Sequence, residues 1–499
     1  MTTNNSFYKY QDSSIIDSLV EYENLSVMWE NTVSKYSAAP AVEYLGKSYS
    51  YSELDEDVSH FRKHLLDKGL KSTDTVCLLS DRSYDFIKAF LAAETLGITV
   101  AVLPLHLTPA QIAHFFNEFG AAALLYSPDF REVIKEDHPV SLNKINISES
   151  AESSAPAFCD YPREAPCIIM FTGGTLGRSK GAVLSHEAVM QGIINGCYGY
   201  NAVFGQKYLL VLPLFHVFGL IRSVLTPLYT GSLIFINTNP RMLFDDLAAF
   251  NPTVTVLVPL LVERGIALSQ KFGRSMFGNS MKYIITGAAP IAPYLAEDCA
   301  KYGITLCMGY GLTETACLVS GNPDMLGKPG SVGLLYPNQE YRLVNDELWL
   351  KGRNLLTRYR DEEENQNSFE DGWFKTGDAV RIDDDGFMYV IGRKKEMLLR
   401  SNGENVYPSV VEEKFNALRW VNASQLYISQ DEDGHDILAL EVLPRDTQPV
   451  IDNITDKVAS MMSDLNRIND SLPSFQRAKK IILRREDFKR TASMKIIRY

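Results

Sequence analysis

The sequence lacks a long apolar run, a secretory leader and any closely paired cysteines. Its longest apolar segment, Tyr208 to Ile221, is shorter than the roughly 20 residues that a membrane-spanning helix needs, and it contains Pro213 and His216. The opening stretch, MTTNNSFYKYQDSS, has no basic region followed by an apolar one, so we expect no secretory signal. The seven cysteines are scattered without a CxxC pair, which favours free thiols in a reducing compartment. These absences predict a cytoplasmic protein without a transmembrane segment.

Basic charge is also in short supply. The chain of 499 residues has 49 Lys and Arg against 61 Asp and Glu, a net charge of -12, which argues against a general nucleic-acid binder. Hydrophobic residues make up 45% and charged residues 22%, as in globular proteins, and the length calls for at least two domains. Residues 472–499 differ, because they carry nine Lys and Arg against two acidic residues. This basic tail is either a solvated face or a surface that meets phosphates or an acidic partner.

Apolar runs and helical patterns alternate along the first part of the chain. The runs TVCLLS, TVAVLP and AALLYS flank helical patterns at Tyr84–Leu96 and Thr108–Phe119, which predicts buried parallel strands in a βαβαβ arrangement. A second pattern of this kind extends from Leu209 to Gly309. An earlier helix is expected to begin at Ser52, with Asp55 in its first turn. We therefore predict two α/β layered subdomains.

The pattern of apolar and polar residues changes after Pro329. Alternating apolar and polar residues around tight turns, as in YRLV-ND-ELWLKG, predict antiparallel hairpins and a small β unit. From Arg393 onward a further arrangement begins, with a helix opened by Pro408 and a helix near Thr455 to Leu472. The predicted fold class is α/β, with a large N-terminal domain at 1–392 and a mobile α+β C-terminal domain at 393–499.

The stretch FTGGTLGRSKG, from Phe171 to Gly181, lies between two strand-like runs and is rich in glycine. It does not end in the Gly-Lys-Ser/Thr of a Walker loop, and no GxGxxG is present. Glycines can still turn successive backbone N–H groups inward as an anion-binding nest, to which Thr172, Thr175 and Lys180 would add donors and charge. Taken alone, the stretch is either a phosphate loop or a plain glycine-rich hairpin turn.

Further motifs, read together with this loop, bring a family resemblance. Five stretches carry it, namely LPLFHVFG at 212–219, GYGLTETA at 309–316, KTGDAVRIDDDGFMYVIGRKKE at 375–396, SNGENVYPSVVE at 401–412 and TASMKIIR at 491–498. With FTGGTLGRSKG they resemble, in order and spacing, the motifs of the adenylate-forming superfamily, which contains acyl-CoA synthetases, luciferases and the adenylation domains of peptide synthetases. The resemblance extends over the whole chain and implies a reaction of a carboxylate with ATP and Mg²⁺ that gives an acyl-adenylate.

The resemblance implies an ATP-binding set and a role for several of its members. Asp378 would accept hydrogen bonds from the ribose diol with the help of Arg393, and Tyr310 would stack on adenine unless it is a plain core aromatic. Gly287, Ala288 and Ala289 would form a backbone wall. The complete set is Thr172, Gly173, Gly174, Thr175, Gly177, Lys180, Gly287, Ala288, Ala289, Tyr310, Gly311, Asp378 and Arg393.

The same resemblance implies four catalytic residues. Thr313 would reach the α-phosphate, Glu314 would hold the metal, and Lys495, in the basic tail, would bridge the two reacting anions. His216 would stand at the entrance of the acyl pocket, although a core histidine is the alternative.

Two further residues concern the second step of the reaction that the resemblance implies, in which the acyl group passes to a thiol. Lys395 lies where family members hinge, unless it is simply a solvated lysine, and Gly403 belongs to a loop expected to face the pantetheine of coenzyme A.

The chain departs from the family pattern at several positions. In the glycine-rich loop, Gly173, Leu176 and Ser179 stand where a hydroxyl residue, a threonine and a proline are usual. Near the end, Met494 replaces a glycine, and Arg490 replaces a frequent proline. The lost hydroxyls predict weaker gripping of pyrophosphate, while the backbone nest would remain.

We predict an AMP-forming acid–thiol ligase that joins an apolar carboxylic acid, fatty or aryl, to coenzyme A. No aspartate follows His216, where amino-acid-activating members usually carry one, so an amino acid substrate is disfavoured. An alternative is an enzyme that loads the acyl group onto an acyl or peptidyl carrier protein, which the basic tail would suit. A third possibility, from another class, is a nucleotide-binding protein without ligase activity.

Overall fold

The computed structural model describes residues 7–135, 143–157, 161–172, 180–399, 405–490 and 496–498. The α-helices of these ranges, in chain order, are α1 Ser13–Asp17, α2 Leu25–Tyr36, α3 Tyr51–Asp67, α4 Tyr84–Glu94, α5 Pro109–Glu118, α6 Arg131–Lys135, α7 His186–Asn195, α8 Val217–Leu220, α9 Thr226–Tyr229, α10 Leu243–Phe250, α11 Pro259–Phe272, α12 Tyr294–Ala300, α13 Glu362–Ser368, α14 Pro408–Asn416, α15 Gln448–Ile451 and α16 Thr455–Ser471. Helices α8 and α9 are joined by a π-helical segment, Ile221–Leu225.

Strands in the same ranges belong to two large and two small sheets. They are β1 Pro40–Tyr44, β2 Lys47–Ser50, β3 Thr75–Leu79, β4 Thr99–Val102, β5 Ala123–Tyr126, β6 Lys144–Asn146, β7 Pro166–Phe171, β8 Gly181–Ser185, β9 Lys207–Leu210, β10 Leu233–Ile236, β11 Val254–Val256, β12 Tyr283–Thr286, β13 Thr305–Leu312, β14 Cys317–Asn322, β15 Gly333–Leu335, β16 Gln339–Val344, β17 Glu347–Gly352, β18 Arg358–Tyr359, β19 Phe369–Glu370, β20 Trp373–Ile382, β21 Phe387–Arg393, β22 Leu398–Leu399, β23 Asn405–Val406, β24 Val421–Gln430, β25 Asp436–Pro444 and β26 Lys480–Leu483.

The first large sheet has the strand order β18-β8-β7-β4-β3-β5-β6 within the described residues. Strands β3, β4 and β5 are parallel and are connected by α4 and α5, so the predicted βαβαβ unit is confirmed. Strands β7 and β8 form an antiparallel hairpin in which Phe171 pairs with Gly181 and Pro166 with Ser185. The glycine-rich loop is therefore the connection at the tip of this hairpin.

The second large sheet combines the later strands with the first two. Its order is β16-β17-β20-β21-β15-β14-β13-β12-β11-β9-β10-β1-β2, and β19 pairs with β20. Strands β9 to β13 are parallel, which confirms the second predicted α/β layer. The predicted hairpins also form, and Asn345 and Asp346 turn the first of them with positive φ values of 49° and 63°. The predicted β unit is continuous with the parallel strands through β14 and β15.

Helices between the two large sheets share one core with both. Phe61 of α3, Phe90 of α4 and Val189 of α7 pack in the same apolar cluster as Val100 of the first sheet and Ile234 of the second. Burying an apolar side chain of this size stabilises the fold by about 1.5–3 kcal/mol, so the shared helices fix the two sheets relative to each other.

The N-terminus of α3 differs from the sequence prediction. Its cap is Ser50, whose side chain accepts a hydrogen bond from Glu53 N, and whose own backbone N–H donates to the Glu53 carboxylate. The predicted cap, Ser52 with Asp55, lies two residues inside the helix. The register follows from Tyr51, which is fully buried and donates its hydroxyl hydrogen to main-chain carbonyls near α9.

The C-terminal residues form a smaller α/β unit with its own apolar cluster. Strands β24 and β25 are antiparallel, β26 is parallel to β25, and Phe415 of α14, Leu440 of β25 and Leu465 of α16 pack together. The helix predicted to open at Pro408 and the one predicted near Thr455 are both present. Strand β21 of the large sheet extends to Arg393, the first residue of the predicted C-terminal domain.

Two sequence expectations concern apolar segments and cysteines. In the part of the chain that the structure describes, no helix is both long enough and apolar enough to cross a membrane. The cysteines with described positions are free and buried, namely Cys77, Cys167, Cys197, Cys299, Cys307 and Cys317. Cys159 lies outside the described residues.

Candidate active site

Asp378 is the centre of a hydrogen-bonded group at the edge of the second sheet. Its carboxylate accepts one hydrogen bond from the Tyr310 hydroxyl at 2.6 Å and pairs with Arg393 Nε at 2.8 Å. Strands β20 and β21 bring the acid and the arginine opposite each other, because Asp378 and Arg393 are register partners. Tyr310 and Arg393, from two different strands, thus meet at the carboxylate of Asp378, a residue that is only 3% exposed.

Electrostatics keep this group in a defined protonation state. Burial and the neighbouring Asp378 carboxylate both raise the pKa of Tyr310 well above its usual value, so its hydroxyl remains a donor at neutral pH. Partial desolvation, the largest single effect, would lower the pKa of Arg393, but the surrounding acidic groups, Asp378 foremost, together raise it. A cationic side chain and a neutral donor therefore hold the carboxylate in place.

The predicted backbone wall follows directly after β12. A Cβ atom on Gly287 would lie 2.8 Å from the Gly309 carbonyl oxygen on the adjacent strand β13, so this position requires glycine. Ala288 has a φ of 65°, in the left-handed region, and both Ala288 and Ala289 are exposed. The turn is therefore exposed and lies beside Gly309, the residue before Tyr310.

Gly311 also lies where a side chain would not fit. A Cβ on Gly311 would lie 1.8 Å from the Cys317 carbonyl oxygen, and the ladder between β13 and β14 shifts register between Tyr310 and Gly311. The bulge follows Tyr310 directly, and it occurs just before the turn that carries the predicted metal ligand.

Glu314 lies in a single 3₁₀ turn, Thr313–Thr315, immediately after β13. The buried Thr315 hydroxyl donates to a main-chain carbonyl and accepts from Leu312 N at 2.9 Å, which fixes the turn. Leu356 N donates to the Glu314 carbonyl oxygen, and the Tyr359 hydroxyl donates to Glu314 Oε1 at 2.8 Å. The carboxylate is therefore oriented by a residue that sequence reasoning missed.

Tyr359 also touches the stem of the glycine-rich loop. Its strand β18 pairs with β8, and the Lys180 ammonium lies 5.9 Å from its ring centroid. Lys180 forms an ion pair with Glu364 of α13, and Thr172 N bonds to the Lys180 carbonyl oxygen across the hairpin stem. Tyr359 thus connects the loop lysine of one sheet with the carboxylate of the other.

A single carboxylate near a lysine suits a magnesium ion that comes with a nucleotide. Mg²⁺ prefers oxygen ligands and is usually held by one or two carboxylates together with substrate phosphates. Glu314 offers such an oxygen, and its side chain is oriented by Tyr359. The donor set therefore fits the predicted metal.

His216 occupies the N-terminal flank of α8, half-buried with its ring 4.4 Å from that of Phe215. The following turn is tight, because a Cβ on Gly219 would lie 2.0 Å from the Pro213 carbonyl oxygen. Phe218, in the same motif, reaches within 3.7 Å of the Cβ position of Gly287. The motif that contains His216 therefore borders the backbone wall.

The predicted hinge residue, Lys395, is exposed in a 3₁₀ turn, Lys394–Glu396. The segment beyond it is tied to the C-terminal end of the chain, because Arg498 binds Glu396 at 3.0 Å and forms two hydrogen bonds with Glu412 at 2.7 and 2.8 Å. The remaining predicted site residues lie outside the described residues, namely Gly173, Gly174, Thr175, Gly177, Gly403 and Lys495.

Ion pairs also connect the C-terminal unit with the second large sheet's helices. Arg419 binds the buried Asp298 of α12 at 2.9 Å, and Arg445 binds Glu263 of α11 at 2.7 Å. Tyr294 lies beneath Arg419 with 4.6 Å between its ring centroid and the guanidinium carbon.

The fold and the grouped carboxylate, tyrosine and lysine side chains define a nucleotide-handling α/β enzyme. Residues 29–359 match the family model described as AMP-binding enzyme, so the chain belongs to that family. A long-chain-fatty-acid–CoA ligase of Salmonella typhimurium is 28% identical over 79% of this chain and 80% of its own length. A 2-succinylbenzoate–CoA ligase of Enterococcus faecalis is 25% identical over 94% of this chain and 97% of its own length.

A solved structure shows the same fold. The O-succinylbenzoate coenzyme A synthetase of Bacillus subtilis, in complex with ATP and a magnesium ion, has a TM-score of 0.78 and 21% identity over 96% of this chain and 99% of its own. The family and the α/β fold class predicted from the motifs are confirmed. The prediction of an enzyme that binds an adenine nucleotide is confirmed at the level of the family, and the relatives named above are ligases of coenzyme A.

Proposed function

We propose that this ligase activates a fatty or aryl carboxylic acid as its acyl-adenylate and transfers the acyl group to the thiol of coenzyme A. The observation that carries the proposal is that two groups of side chains lie a few residues apart along β13. Asp378 and Arg393 meet at Tyr310 of β13. Tyr359 meets Glu314, which directly follows the same strand. A ribose diol and a chain of phosphates require such a succession of acceptor, metal ligand and cation.

In this proposal each residue has a separate task. Asp378 accepts hydrogen bonds from the ribose hydroxyls, and Tyr310 lies against adenine beside the wall of Gly287, Ala288 and Ala289. Thr313 and Lys180 approach the phosphates, and Glu314 holds magnesium, which neutralises phosphate charge. Lys495 would come between the reacting anions, where two like charges 4 Å apart repel by about 4 kcal/mol at an effective dielectric constant of 20.

The acyl group is proposed to enter beside His216. The motif around it contains Phe215, Val217 and Phe218 and no acidic residue, so nothing in it would receive the ammonium group of an amino acid. The names of the relatives, a long-chain fatty acid ligase and a succinylbenzoate ligase, support an aliphatic or aromatic acid.

Coenzyme A is preferred over a carrier protein as the acyl acceptor. Three of the nine basic residues of the tail, which would suit an acidic carrier, are paired with acidic residues of the chain itself. Arg484 pairs with Glu441, Arg490 with Asp487, and Arg498 with Glu396 and Glu412. The same proposal includes a hinge at Lys395 between units 1–392 and 393–499, and contact of the Gly403 loop with the pantetheine.

The test is pyrophosphate release over a panel of fatty, aryl and amino acids, followed by acyl transfer to free coenzyme A and to a carrier protein in parallel. We expect release with fatty or aryl acids and a thioester of coenzyme A detected by mass spectrometry. Transfer to the carrier alone would overturn the choice of acceptor. Absence of pyrophosphate release with every acid would instead support a nucleotide-binding protein without ligase activity.

A further inference from the structure

Three metal-ligating side chains meet in the interior of the first large sheet, away from the candidate active site. Glu94 is the last residue of α4, Cys167 lies on β7, and His186 is the first residue of α7. All three side chains are completely buried. The proposed reaction uses none of them.

The distances within this cluster are those of a metal coordination shell. Cys167 Sγ lies 3.1 Å from Glu94 Oε2, His186 Nε2 lies 3.8 Å from the same oxygen, and all three ligand atoms are within 4.8 Å of one another. For zinc bound tetrahedrally at about 2.0–2.3 Å, ligand atoms lie roughly 3.3–3.8 Å apart. Shifts well below 2 Å would therefore place all three atoms around one ion.

Several polar atoms of the cluster lack partners. Glu94 Oε1 and both ring nitrogens of His186 make no hydrogen bond to any described residue. The His186 ring instead packs against Tyr161, with 4.6 Å between the ring centroids. Unpaired polar atoms in a dry interior are unfavourable, and ligation of a cation would satisfy Glu94 Oε1 and one imidazole nitrogen at once.

Charge and ligand type also favour zinc. A thiolate and a carboxylate together carry two negative charges, which one Zn²⁺ neutralises in a region without access to water. Sulfur, imidazole and carboxylate are the ligands that zinc takes in proteins, and a bidentate Glu94 would supply the fourth donor atom in a distorted tetrahedral arrangement. Thiolate disfavours Ca²⁺ and Mg²⁺, which prefer oxygen.

From these contacts we propose that Glu94, Cys167 and His186 form a structural zinc site that links α4, β7 and α7. Cys167 follows the first residue of β7, and His186 follows the last residue of β8, so the site closes the base of the hairpin that carries the glycine-rich loop at its tip. Because the ligands are fully buried, the ion would enter during folding.

The test refolds the full chain with zinc chloride or cobalt chloride and removes loosely bound metal by gel filtration. We expect about one zinc ion per chain, measured by inductively coupled plasma mass spectrometry. The cobalt form should show visible absorption bands of a tetrahedral site and a thiolate-to-cobalt charge-transfer band. Metal-free protein after refolding, or cobalt without a thiolate band, would overturn the proposal.

Matched variants locate the site. Cys167→Ala and His186→Asn should lower the zinc content at least about tenfold. Cys197→Ala removes another completely buried thiol that has no acidic neighbour among its described contacts, and it should keep the metal. Equal zinc content in Cys167→Ala and wild type would contradict the assignment. If that variant fails to fold, the cobalt spectrum of the wild type still decides the question.

Discussion

Replacing Asp378 with asparagine tests the proposed ribose site most directly. The change keeps the shape of the side chain but removes the charge that now receives the Tyr310 hydroxyl and Arg393 Nε. Arg393 would lose its counter-charge, yet its side chain is 44% exposed, so water can compensate and the fold should be retained. The effect should therefore appear in nucleotide binding and leave stability almost unchanged.

The expected magnitude follows from two hydrogen bonds to the ribose diol. Each is worth about 1.5–3 kcal/mol to a carboxylate and roughly half as much to a neutral acceptor. Their combined loss is about 1.5–3 kcal/mol, so the KM for ATP should rise roughly 10- to 150-fold in a pyrophosphate-release assay. Asp383→Asn is the matched control, because Asp383 lies at the turn after the same strand and pairs with Lys328.

Deoxynucleotides make this prediction sharper. Wild-type enzyme should use 2′-deoxy-ATP and 3′-deoxy-ATP less well than ATP, whereas Asp378→Asn should discriminate much less, since the partner of the missing hydroxyl has already been weakened. The ribose assignment is wrong if both enzymes show the same preference for ATP, or if Asp378→Asn and Asp383→Asn have equal KM values.

Three further changes probe the phosphate side of the site. Glu314→Gln should raise the magnesium concentration for half-maximal activity about 10- to 100-fold, and Tyr359→Phe only about fivefold, because it removes one orienting hydrogen bond; equal effects would show that Glu314 is not a ligand. Glu364→Gln releases Lys180 from its ion pair and should lower the KM for ATP by about 1.5- to 5-fold, whereas an increase would mean that the pair positions Lys180 for the phosphates. Lys495→Ala should reduce adenylation about 100-fold or more while sparing thioester formation from supplied acyl-adenylate, and equal loss of both steps would refute a two-conformation mechanism.

The order of the motifs predicted the family, the fold class and the proximity of Arg393 to Asp378. Sequence spacing could not predict that the Tyr310 hydroxyl bonds to Asp378, because that contact depends on how β13 and β20 lie in the folded sheet. Tyr359 was missed for a similar reason. Its strand has only two residues, and its role arises from pairing with β8, far away in sequence.

Local signals were ambiguous where two registers compete. Ser50 and Ser52 each precede an acidic residue by three positions, so either could cap the helix. The burial of Tyr51 selects Ser50. The cluster of Glu94, Cys167 and His186 has no sequence spacing typical of a metal site, since its members come from three separate elements. The predicted roles of Lys495, Gly403 and most of the glycine-rich loop stay predictions.

The segment from Asn354 to Tyr359 joins two parts of the chain that are built separately. Asn354 donates to the Thr315 carbonyl oxygen and Leu356 to that of Glu314, while Tyr359 pairs with the strand that leaves the glycine-rich loop. A fragment that ends before residue 354 would retain both the loop and Glu314 but not the piece that sets the distance between them. Such a truncated chain should fail to bind ATP, and a chain that ends at Tyr359 should restore the spacing between the loop and Glu314 but bind ATP only weakly, because Asp378 and Arg393 lie beyond it.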